Sequence, residues 1–240
     1  MSTVIVTGAA SGIGRAIALD LSRDHDVVAC DLNAAMLDDA GLTSLHRVVA
    51  DVTSPSDVES VVDQAVDRFG GVSGLVHCAA IEEPSTPALE FPPALFHRII
   101  DVNLGGSFLM CQAAAKAMRN SGTGGSIVLI GSILSQVGWG GNLAYTASKG
   151  AVLQLARGLA VELAPLAIRV NVIGPGLVAT PMSQPTIDDP ARAGQLLSRL
   201  PLGRFAETSD VTGVARFLLD EAARYITGAF LPVDGGWLAL

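Results

Sequence analysis

Seven short apolar segments, rich in valine, isoleucine and leucine, recur along the chain. They occupy residues 4–7, 27–31, 47–50, 75–79, 126–130, 169–173 and 230–233. Most are continuous apolar runs, without the alternation of polar and apolar residues that a half-exposed strand shows. Continuous runs are typical of strands buried on both faces of a parallel sheet. We therefore predict seven such strands.

Segments with helical periodicity separate these strands. We predict helices over residues 13–23, 55–69, 103–119, 145–163 and 210–220. In the second of them, apolar side chains recur at helical spacing, at Val58, Val61, Val62, Ala65, Val66 and Phe69. The alternation of strands and crossover helices predicts a doubly wound, Rossmann-type α/β fold with a seven-stranded parallel sheet and helices on both faces.

No internal repeat or low-complexity linker interrupts this pattern, so we interpret residues 1–240 as one domain. The least regular stretch is 174–201, which contains prolines at positions 175, 181, 185 and 190. A long irregular segment inside an α/β domain is more often a functional loop than a boundary. We predict that it forms a substrate loop or lid.

The composition is that of a folded globular chain. Half of the 240 residues are hydrophobic and 16% are charged, which excludes a disordered chain. The net charge of −8 and the lack of a Lys/Arg cluster argue against a nucleic-acid binder. The three cysteines match no disulfide or zinc pattern, so we expect reduced thiols, a cytoplasmic location and no bound metal. We also expect no membrane span and no signal peptide.

A glycine-rich turn joins the first strand to the first helix. From Thr7 to Gly14 it reads T-G-A-A-S-G-I-G. Glycines here permit a tight turn and a close approach of a pyrophosphate to the backbone, while the helix N-terminus offers free N–H groups. The spacing G-x-x-x-G-x-G differs from the G-x-G-x-x-G dinucleotide fingerprint. A plain strand-to-helix turn is therefore the alternative interpretation.

An acidic residue, Asp31, ends the second predicted strand about 17 residues after Gly14. A carboxylate about 20 residues beyond such a turn binds the ribose hydroxyls of NAD and repels the 2′-phosphate of NADP. No basic residue follows at Leu32 or Asn33, which favours NAD, although Arg15 could reach a phosphate. The alternative role for Asp31 is a helix N-cap.

A tyrosine and a lysine, Tyr145 and Lys149, open the longest predicted helix. Positions i and i+4 share one helix face, so the phenol and the ammonium can share a pocket. A free phenol, with a pKa of about 10, is a poor base near neutrality, and a fixed cation nearby lowers that pKa. Such a tyrosine can exchange a proton with an alcohol or a ketone. The alternative is an ordinary surface pair.

Three further polar residues lie where strands end or helices begin. Asp51 closes the third strand, where it can face a ligand crevice or cap the helix that starts near Ser54. Ser132 follows the fifth strand, and its hydroxyl can orient a substrate oxygen. Asn103 stands at a predicted helix start, where its alternative role is an N-cap.

These motifs, in this order, resemble the short-chain dehydrogenase/reductase family in its compact single-domain branch. The resemblance covers essentially the whole chain. It rests on the turn Gly8 to Gly14, Asp51, Asn103, Ser132, Tyr145 with Lys149, Pro175-Gly176 with Thr180, and Val233-Asp234-Gly235-Gly236. The implied activity is interconversion of a secondary alcohol and a ketone by hydride transfer to or from NAD(H).

The resemblance also implies roles for individual residues. Tyr145 would be the general acid/base, Lys149 would bind the nicotinamide ribose and lower the pKa of Tyr145, and Ser132 would hold the substrate oxygen. Asn103 would position a water that links Lys149 to solvent. The residues expected to bind NAD are Gly8, Ser11, Gly12, Ile13, Gly14, Asp31, Leu32, Asp51, Val52, Ala79, Ala80, Tyr145, Lys149, Pro175, Val178 and Thr180.

One segment departs from the family pattern. The family usually carries Asn-Asn-Ala-Gly after its fourth strand, whereas this chain reads His77-Cys78-Ala79-Ala80. His77 could replace some of the missing hydrogen bonds, but a thiol is a weak donor. Ala80 adds a Cβ where the cofactor ribose passes. We expect cofactor binding to persist, with a lower affinity or a slightly altered position.

We expect the pocket to be formed by Ile133, Leu134, Gln136, Trp139, Asn142, Val178 and Met182, which favours an uncharged alcohol, ketone or polyol. The alternatives are a non-catalytic NAD-binding regulator and an NADP-dependent reductase of the same family. An epimerase or dehydratase is less consistent, because those relatives are usually longer. The resemblance suggests a homotetramer built partly on the helices 103–119 and 145–163.

Overall fold

Seven parallel strands form one sheet at the centre of the molecule. The structure is a computed structural model that describes residues 2–43 and 45–240. The strands are β1 (Thr3–Thr7), β2 (Asp26–Asp31), β3 (His46–Val49), β4 (Gly74–His77), β5 (Gly125–Ile130), β6 (Ile168–Pro175) and β7 (Phe230–Val233). Their order across the sheet is β3-β2-β1-β4-β5-β6-β7. The predicted seven-stranded Rossmann-type fold is confirmed.

Helices cover both faces of this sheet. They are α1 (Gly12–Leu21), α2 (Ala34–Asp39), α3 (Pro55–Phe69), α4 (Pro93–Ile100), α5 (Gly106–Ser121), α6 (Leu143–Leu163), α7 (Gln184–Ile187), α8 (Pro190–Leu197) and α9 (Thr208–Leu219). Side chains of α3, α5 and α6 build the core on one face, and those of α1, α2 and α9 build it on the other. Because both faces are covered, strands such as β1 are buried along their whole length.

Helix α3 shows how local sequence sets the ends of an element. Ser54 precedes the helix, and its hydroxyl accepts a hydrogen bond from the backbone N–H of Asp57. Pro55 occupies the first turn, where no intrahelical donor is needed. Gly70 ends the helix with φ +83°, a left-handed conformation that glycine adopts without strain. The observed bounds equal the predicted range 55–69.

The region before α5 differs from the sequence prediction. We expected a helix start at Asn103, but α4 continues through a π-helical turn, Asp101–Gly105, directly into α5. Asn103 is therefore not an N-cap, and it lies buried inside the turn. Its side chain bonds the backbone of a neighbouring segment, which the wider turn places within reach. Single π-helical turns of this kind occur frequently at functional sites.

The segment 174–201 is also more ordered than its prolines suggest. Strand β6 extends to Pro175, and the short helices α7 and α8 follow. Pro190 is the first residue of α8, where a proline fits a helix, and Asp189 accepts hydrogen bonds from the next two backbone N–H groups. Within the residues that the structure describes, no helix is long and apolar enough to cross a membrane.

Candidate active site

A cleft of about 990 Å³ opens at the carboxyl ends of the strands. It lies where the strand order reverses, between β1 and β4, which is the usual place for a ligand in an open parallel sheet. The glycine turn, the ends of β2 and β5, the start of α6 and the segment after β6 all contribute to its walls. A volume of this size is sufficient for a dinucleotide together with a small substrate.

The backbone of the glycine turn packs closely against itself and against the end of β4. Gly8 and Gly12 have positive φ angles of 64° and 52°. A Cβ on Gly14 would lie 2.2 Å from the carbonyl oxygen of Gly8, and a Cβ on Gly8 would lie 2.9 Å from the backbone nitrogen of Ala79. Side chains at these positions would push the turn away from the first helix and from the end of β4.

The N-terminus of α1 faces this cleft with its donors available. Ser11 precedes the helix in an extended conformation, and within the described residues no side-chain hydrogen bond from it caps the helix. Ser11, Gly12, Ile13 and Gly14 all line the cleft. Free N–H groups and the positive end of the helix dipole favour an anionic group at this point.

Two acidic residues at strand ends shape the same half of the cleft. The carboxylate of Asp31 accepts hydrogen bonds of 3.0 Å from the backbone nitrogens of Ala10 and Asn33. It is not the cap of α2, because Asn33 fills that role. Asp51 accepts from the nitrogen and hydroxyl of Thr53 at 2.8 and 2.7 Å. It does not cap α3 either, since Ser54 does so.

The segment after β6 closes over the glycine turn. A Cβ on Gly12 would lie 3.4 Å from the side chain of Thr180, so the two segments meet across the cleft. The hydroxyl of Ser183 holds this segment together, because it accepts from the backbone nitrogen of Thr180 at 3.1 Å and donates to the carbonyl of Val178. Pro175, Val178 and Thr180 line the cleft as predicted.

Ser132 lies at the end of β5 with its hydroxyl oriented by the backbone. Its oxygen accepts a hydrogen bond of 3.1 Å from the backbone nitrogen of Leu134. This hydrogen bond occupies one of the two lone pairs of the hydroxyl oxygen and leaves its proton free. The proton can therefore point to a ligand oxygen in the cleft. Ser132 and Tyr145 both line the cleft wall.

Tyr145 and Lys149 occupy the first turns of α6. The ammonium of Lys149 donates to the carbonyl oxygen of Ile130 at 2.8 Å and lies 5.4 Å from the centre of the Tyr145 ring. Burial lowers the pKa of Lys149 to about 8, against smaller opposing effects of Cys78 and Glu82. Lys149 is therefore mostly charged at neutral pH, and it loses its proton at a lower pH than an ordinary lysine.

The acidity of Tyr145 differs from the sequence prediction. We expected Lys149 to lower the pKa of the phenol. Burial instead raises the pKa of Tyr145 above its ordinary value, the negative charges of Glu82 and Glu83 raise it further, and Ser132 acts in the opposite direction. The protein side chains alone thus favour a neutral phenol.

Glu83 and Glu82 were not singled out from the sequence. Glu83 is buried, and its carboxylate accepts from the backbone nitrogens of Ala144 at 2.8 Å and Tyr145 at 3.0 Å. It therefore caps the N-terminus of α6, the helix that carries the catalytic candidates. The carboxylate of Glu82 accepts a hydrogen bond of 2.6 Å from Nδ2 of Asn142, and Glu82 lines the cleft. The sequence feature that could have identified both residues is a pair of consecutive acidic residues shortly after the carboxyl end of a strand.

Asn103 lies behind the cleft wall and is buried. Its side chain exchanges two hydrogen bonds with the backbone of Ile81, at 2.8 and 2.9 Å, and donates to the hydroxyl of Ser148 at 3.0 Å. Asn103 therefore ties the π-helical turn to α6 and to the segment that carries Glu82. It is not among the residues that line the cleft.

The unusual segment after β4 retains a compact hydrogen-bond arrangement. The hydroxyl of Thr7 lies 2.9 Å from Nδ1 of His77 and accepts from the nitrogens of Cys78 and Ala79, each at 3.2 Å. Burial lowers the pKa of His77 to about 3, with the charge of Lys149 contributing, so the ring is neutral. Its buried Nε2 has no hydrogen-bond partner among residues 2–43 and 45–240.

Six of the seven predicted pocket side chains line the cleft, namely Ile133, Leu134, Trp139, Asn142, Val178 and Met182. Gln136 is exposed and does not belong to the lining residues among those described, so the structure does not support its predicted role. Trp139 and Trp237 meet edge to face with ring centres 5.7 Å apart. The guanidinium of Arg199 lies 5.4 and 4.6 Å from these rings and joins the end of α8 to them.

Comparison with known proteins gives full-length matches. The family described as "Enoyl-(Acyl carrier protein) reductase" matches residues 8–238. A 2-(R)-hydroxypropyl-CoM dehydrogenase from Xanthobacter autotrophicus is 39% identical, over 98% of each chain. A cis-4-hydroxycyclohexanecarboxylate dehydrogenase from Sinomonas cyclohexanicum is also 39% identical, over 98% of this chain and 96% of its own.

Another relative and a solved structure complete the comparison. An L-rhamnose 1-dehydrogenase (NAD(P)(+)) from Azotobacter vinelandii is 37% identical, over 98% of this chain and 95% of its own. The structure of a short-chain type dehydrogenase/reductase from Mycobacterium ulcerans superimposes with a TM-score of 0.93 at 32% identity, over 99% of this chain and 90% of that chain.

Proposed function

This chain belongs to the short-chain dehydrogenase/reductase family and is an oxidoreductase that acts on CH–OH groups, and we propose that it interconverts a secondary alcohol and a ketone with NAD(H). The observation that carries the proposal is that Tyr145, Ser132 and Lys149 line one cleft together with an open glycine turn. The relatives are named for L-rhamnose, a hydroxypropyl-CoM and a hydroxycyclohexanecarboxylate, so they support the reaction type and leave the substrate class open.

The residues of the glycine turn fit a dinucleotide. The backbone of Gly12 to Gly14 and the open N-terminus of α1 would hold the pyrophosphate, and Asp31 would accept from the ribose hydroxyls. Asp51 and Val52 would lie beside the adenine. When bound, the cofactor supplies the hydride acceptor or donor and, in its oxidised form, a positive ring.

NAD is favoured over NADP by the surroundings of Asp31. Each carboxylate oxygen already accepts one backbone N–H and can accept a second donor, whereas a 2′-phosphate would be repelled. Arg15 was the basic residue most able to offset this. Its Nε donates to the carbonyl oxygen of Ala40 at 2.6 Å, which directs the guanidinium to the end of α2.

Proton transfer is assigned to Tyr145. Ser132 would donate its free proton to the substrate oxygen, and the phenol would take or return the proton of that oxygen. The ammonium of Lys149 and the cofactor's charge would favour the phenolate and oppose the effect of burial and of Glu82. Asn103 would act behind them as a positioning residue, since it holds the π-helical turn against α6.

Replacement of Tyr145 by phenylalanine tests this proposal. General acid/base catalysis contributes about 100-fold to 10,000-fold, so we expect Y145F to lower kcat by at least about 100-fold. Cofactor binding, measured by calorimetry, should persist. The matched control is Y225F, because Tyr225 is the second of two tyrosines and is fully exposed.

Three outcomes distinguish the alternatives. Normal turnover by Y145F on a good substrate would reject the mechanism. Cofactor binding without turnover of any alcohol or ketone would favour a non-catalytic NAD-binding regulator. Activity confined to NADP(H) would reject the role given to Asp31.

We also propose that the chain forms a homotetramer. Phe108 on α5 and Val161 on α6 are apolar side chains that are 43% and 79% exposed. Apolar residues exposed on long helices support an interface between copies. Sedimentation equilibrium at several concentrations measures the assembly directly.

A further inference from the structure

We propose that Glu82 sets the substrate class of this cleft. It admits alcohols and ketones that are uncharged or carry an ammonium group next to the reacting carbon, and it excludes those that carry a carboxylate or phosphate there. The inference rests on the proposed function, because it specifies which substrates the same site accepts.

The position of Glu82 places a negative charge at the substrate end of the cleft. Its carboxylate is held 2.6 Å from the Nδ2 of Asn142, which lies three residues before Tyr145. Asn142 and Trp139 line the same wall. Because Glu82 raises the pKa of Tyr145, its charge acts at the phenol where the substrate oxygen must bind.

Among the described residues, no cation lies within salt-bridge distance of Glu82, although the charge of Lys149 lowers the pKa of Glu82 from farther away. Lys149 donates to Ile130, and the charge of Glu83 is directed to the N-terminus of α6. For the described residues, the hydrogen bond from Asn142 to Oε1 is the single one made by this carboxylate, so Oε2 can accept from a ligand.

A ligand in the cleft therefore meets an acceptor with a negative charge. Glu82 is exposed and lines the cleft. A hydroxyl or ammonium group can donate to its carboxylate, whereas a second anion in the cleft would be repelled, most strongly at low ionic strength. A site that hydrogen-bonds a substrate group discriminates strongly against analogues that lack the donor. Sugars, diols and amino alcohols meet this requirement, and hydroxy acids do not.

The titratable groups that interact with Glu82 are Glu83, Lys149 and Tyr145, and His97, Arg98 and Asp101 line the same cleft. Partial burial and the charge of Glu83 raise the pKa of Glu82, while Asn142 and Lys149 oppose this rise. The exclusion of anions should weaken as the pH falls and Glu82 takes up a proton. We therefore measure the discrimination between cationic, neutral and anionic substrates in mildly alkaline solution.

Three small secondary alcohols of similar size test the inference. Propane-1,2-diol is neutral, 1-amino-2-propanol is a cation and lactate is an anion at about pH 8. We measure kcat/KM for their oxidation with NAD+ and NADP+. For the wild-type protein we expect kcat/KM for lactate to be at least about tenfold below that for the diol.

Two variants and a control isolate the charge of Glu82. E82Q keeps an oxygen that can accept from Asn142 and removes the charge. We expect it to lower the cation-to-anion ratio of kcat/KM at least about tenfold, and E82K to lower it further. The acid limb of the pH profile should also move to lower pH in E82Q, because the pKa of Tyr145 falls. E90Q, the same change at an exposed position of the same segment, should alter neither.

The outcomes separate this inference from the proposed function. If E82Q oxidises the diol but its cation-to-anion ratio stays within twofold of the wild-type ratio, Glu82 does not select the substrate and the inference fails alone. If the wild-type protein oxidises none of the three alcohols and reduces none of the corresponding ketones with either cofactor, the proposed function fails and the inference fails with it.

Discussion

The N-termini of α1 and α6 meet at one cleft, but among the described residues only that of α6 is capped by a side chain of the protein. The N-terminus of α1 carries a serine whose side chain makes no cap within the described residues, so its N–H groups face the cleft. The N-terminus of α6 receives the buried carboxylate of Glu83, which accepts from Ala144 and Tyr145. Both ends carry the same partial positive charge.

The difference follows from what each end must hold. The end of α1 is left open, and in our proposal an anionic group of the ligand fills it. The end of α6 is filled by the protein itself, because a fixed anion there locks the backbone of Tyr145 in place. The same partial positive charge therefore serves ligand binding at one helix N-terminus and the positioning of a side chain at the other. Which of the two it serves depends on whether the chain itself supplies a carboxylate.

Converting the α1 end into the α6 arrangement should have the largest effect. S11D places a carboxylate where the pyrophosphate would bind, so we expect the cofactor affinity to fall by about 100-fold through like-charge repulsion. The stability should stay the same or rise by about 0.5–1 kcal/mol, because an aspartate is a good cap. Calorimetric titration with NADH and thermal unfolding measure the two effects.

The matched control for S11D is S11N, which offers a similar cap without charge. Its affinity for NADH should stay within a few-fold of the wild-type value. Equal losses of affinity in S11D and S11N would show that the geometry at position 11, and not an open dipole, governs binding.

Removing the charge from the α6 end should have an intermediate effect. In E83Q the helix loses a charge-assisted cap, so we expect the free energy of unfolding to fall by about 1–2 kcal/mol. The glutamine keeps one acceptor oxygen but no charge, so the backbone of Tyr145 is held less firmly and kcat should fall by about tenfold. The acid limb of the pH profile should move to lower pH, since Glu83 raises the pKa of Tyr145.

Steady-state kinetics over a pH series and chemical denaturation supply these values. E207Q is the control, because Glu207 is exposed at the N-terminus of α9. A change in kcat of the same size in E207Q would contradict a specific role for Glu83 in positioning Tyr145.

One turn further along α6, K149M should stabilise the fold at the cost of activity. The pKa of Lys149 is lowered from 10.5 to about 8 in the folded protein. The unfolded chain therefore binds more protons, and the buried ammonium destabilises the fold below about pH 8 by at most about 3 kcal/mol. This penalty disappears as the pH rises from about 8 to about 10.5.

We therefore expect K149M to melt a few degrees above the wild-type protein at about pH 7, with the gap closing towards about pH 10. Melting temperatures across a pH series measure it. A gap that does not change with pH would indicate that packing, and not the charge, accounts for the difference.

The strands could be predicted from the sequence because strands that are buried on both faces consist largely of apolar residues. The central residues of β1 and the last four residues of β5 are apolar and buried, and each predicted strand lies within a few residues of an observed one. The region 93–121 could not be predicted in the same way. A π-helical turn changes the register of hydrogen bonds without changing the apolar pattern, so Asn103 looked like a helix start.

Most of the predicted site residues come together for a similar reason, since the carboxyl ends of parallel strands meet at one edge. Glu83 was missed because its partners are backbone N–H groups 61 and 62 positions further along the chain. Such contacts have no local sequence signature. The pKa of Tyr145 was misjudged for the same reason, because the burial of the phenol and the charges of Glu82 and Glu83, which raise this pKa, arise only once the chain is folded.

The aromatic pair at the substrate end has an optical consequence. Trp139 and Trp237 are the two tryptophans of the chain, and both line the cleft around Arg199. All of the intrinsic tryptophan fluorescence therefore originates within a few ångströms of the cleft. Occupancy of the cleft, movement of α8 and energy transfer to a reduced nicotinamide should all change the emission, so the protein carries its own label-free reporter of ligand binding.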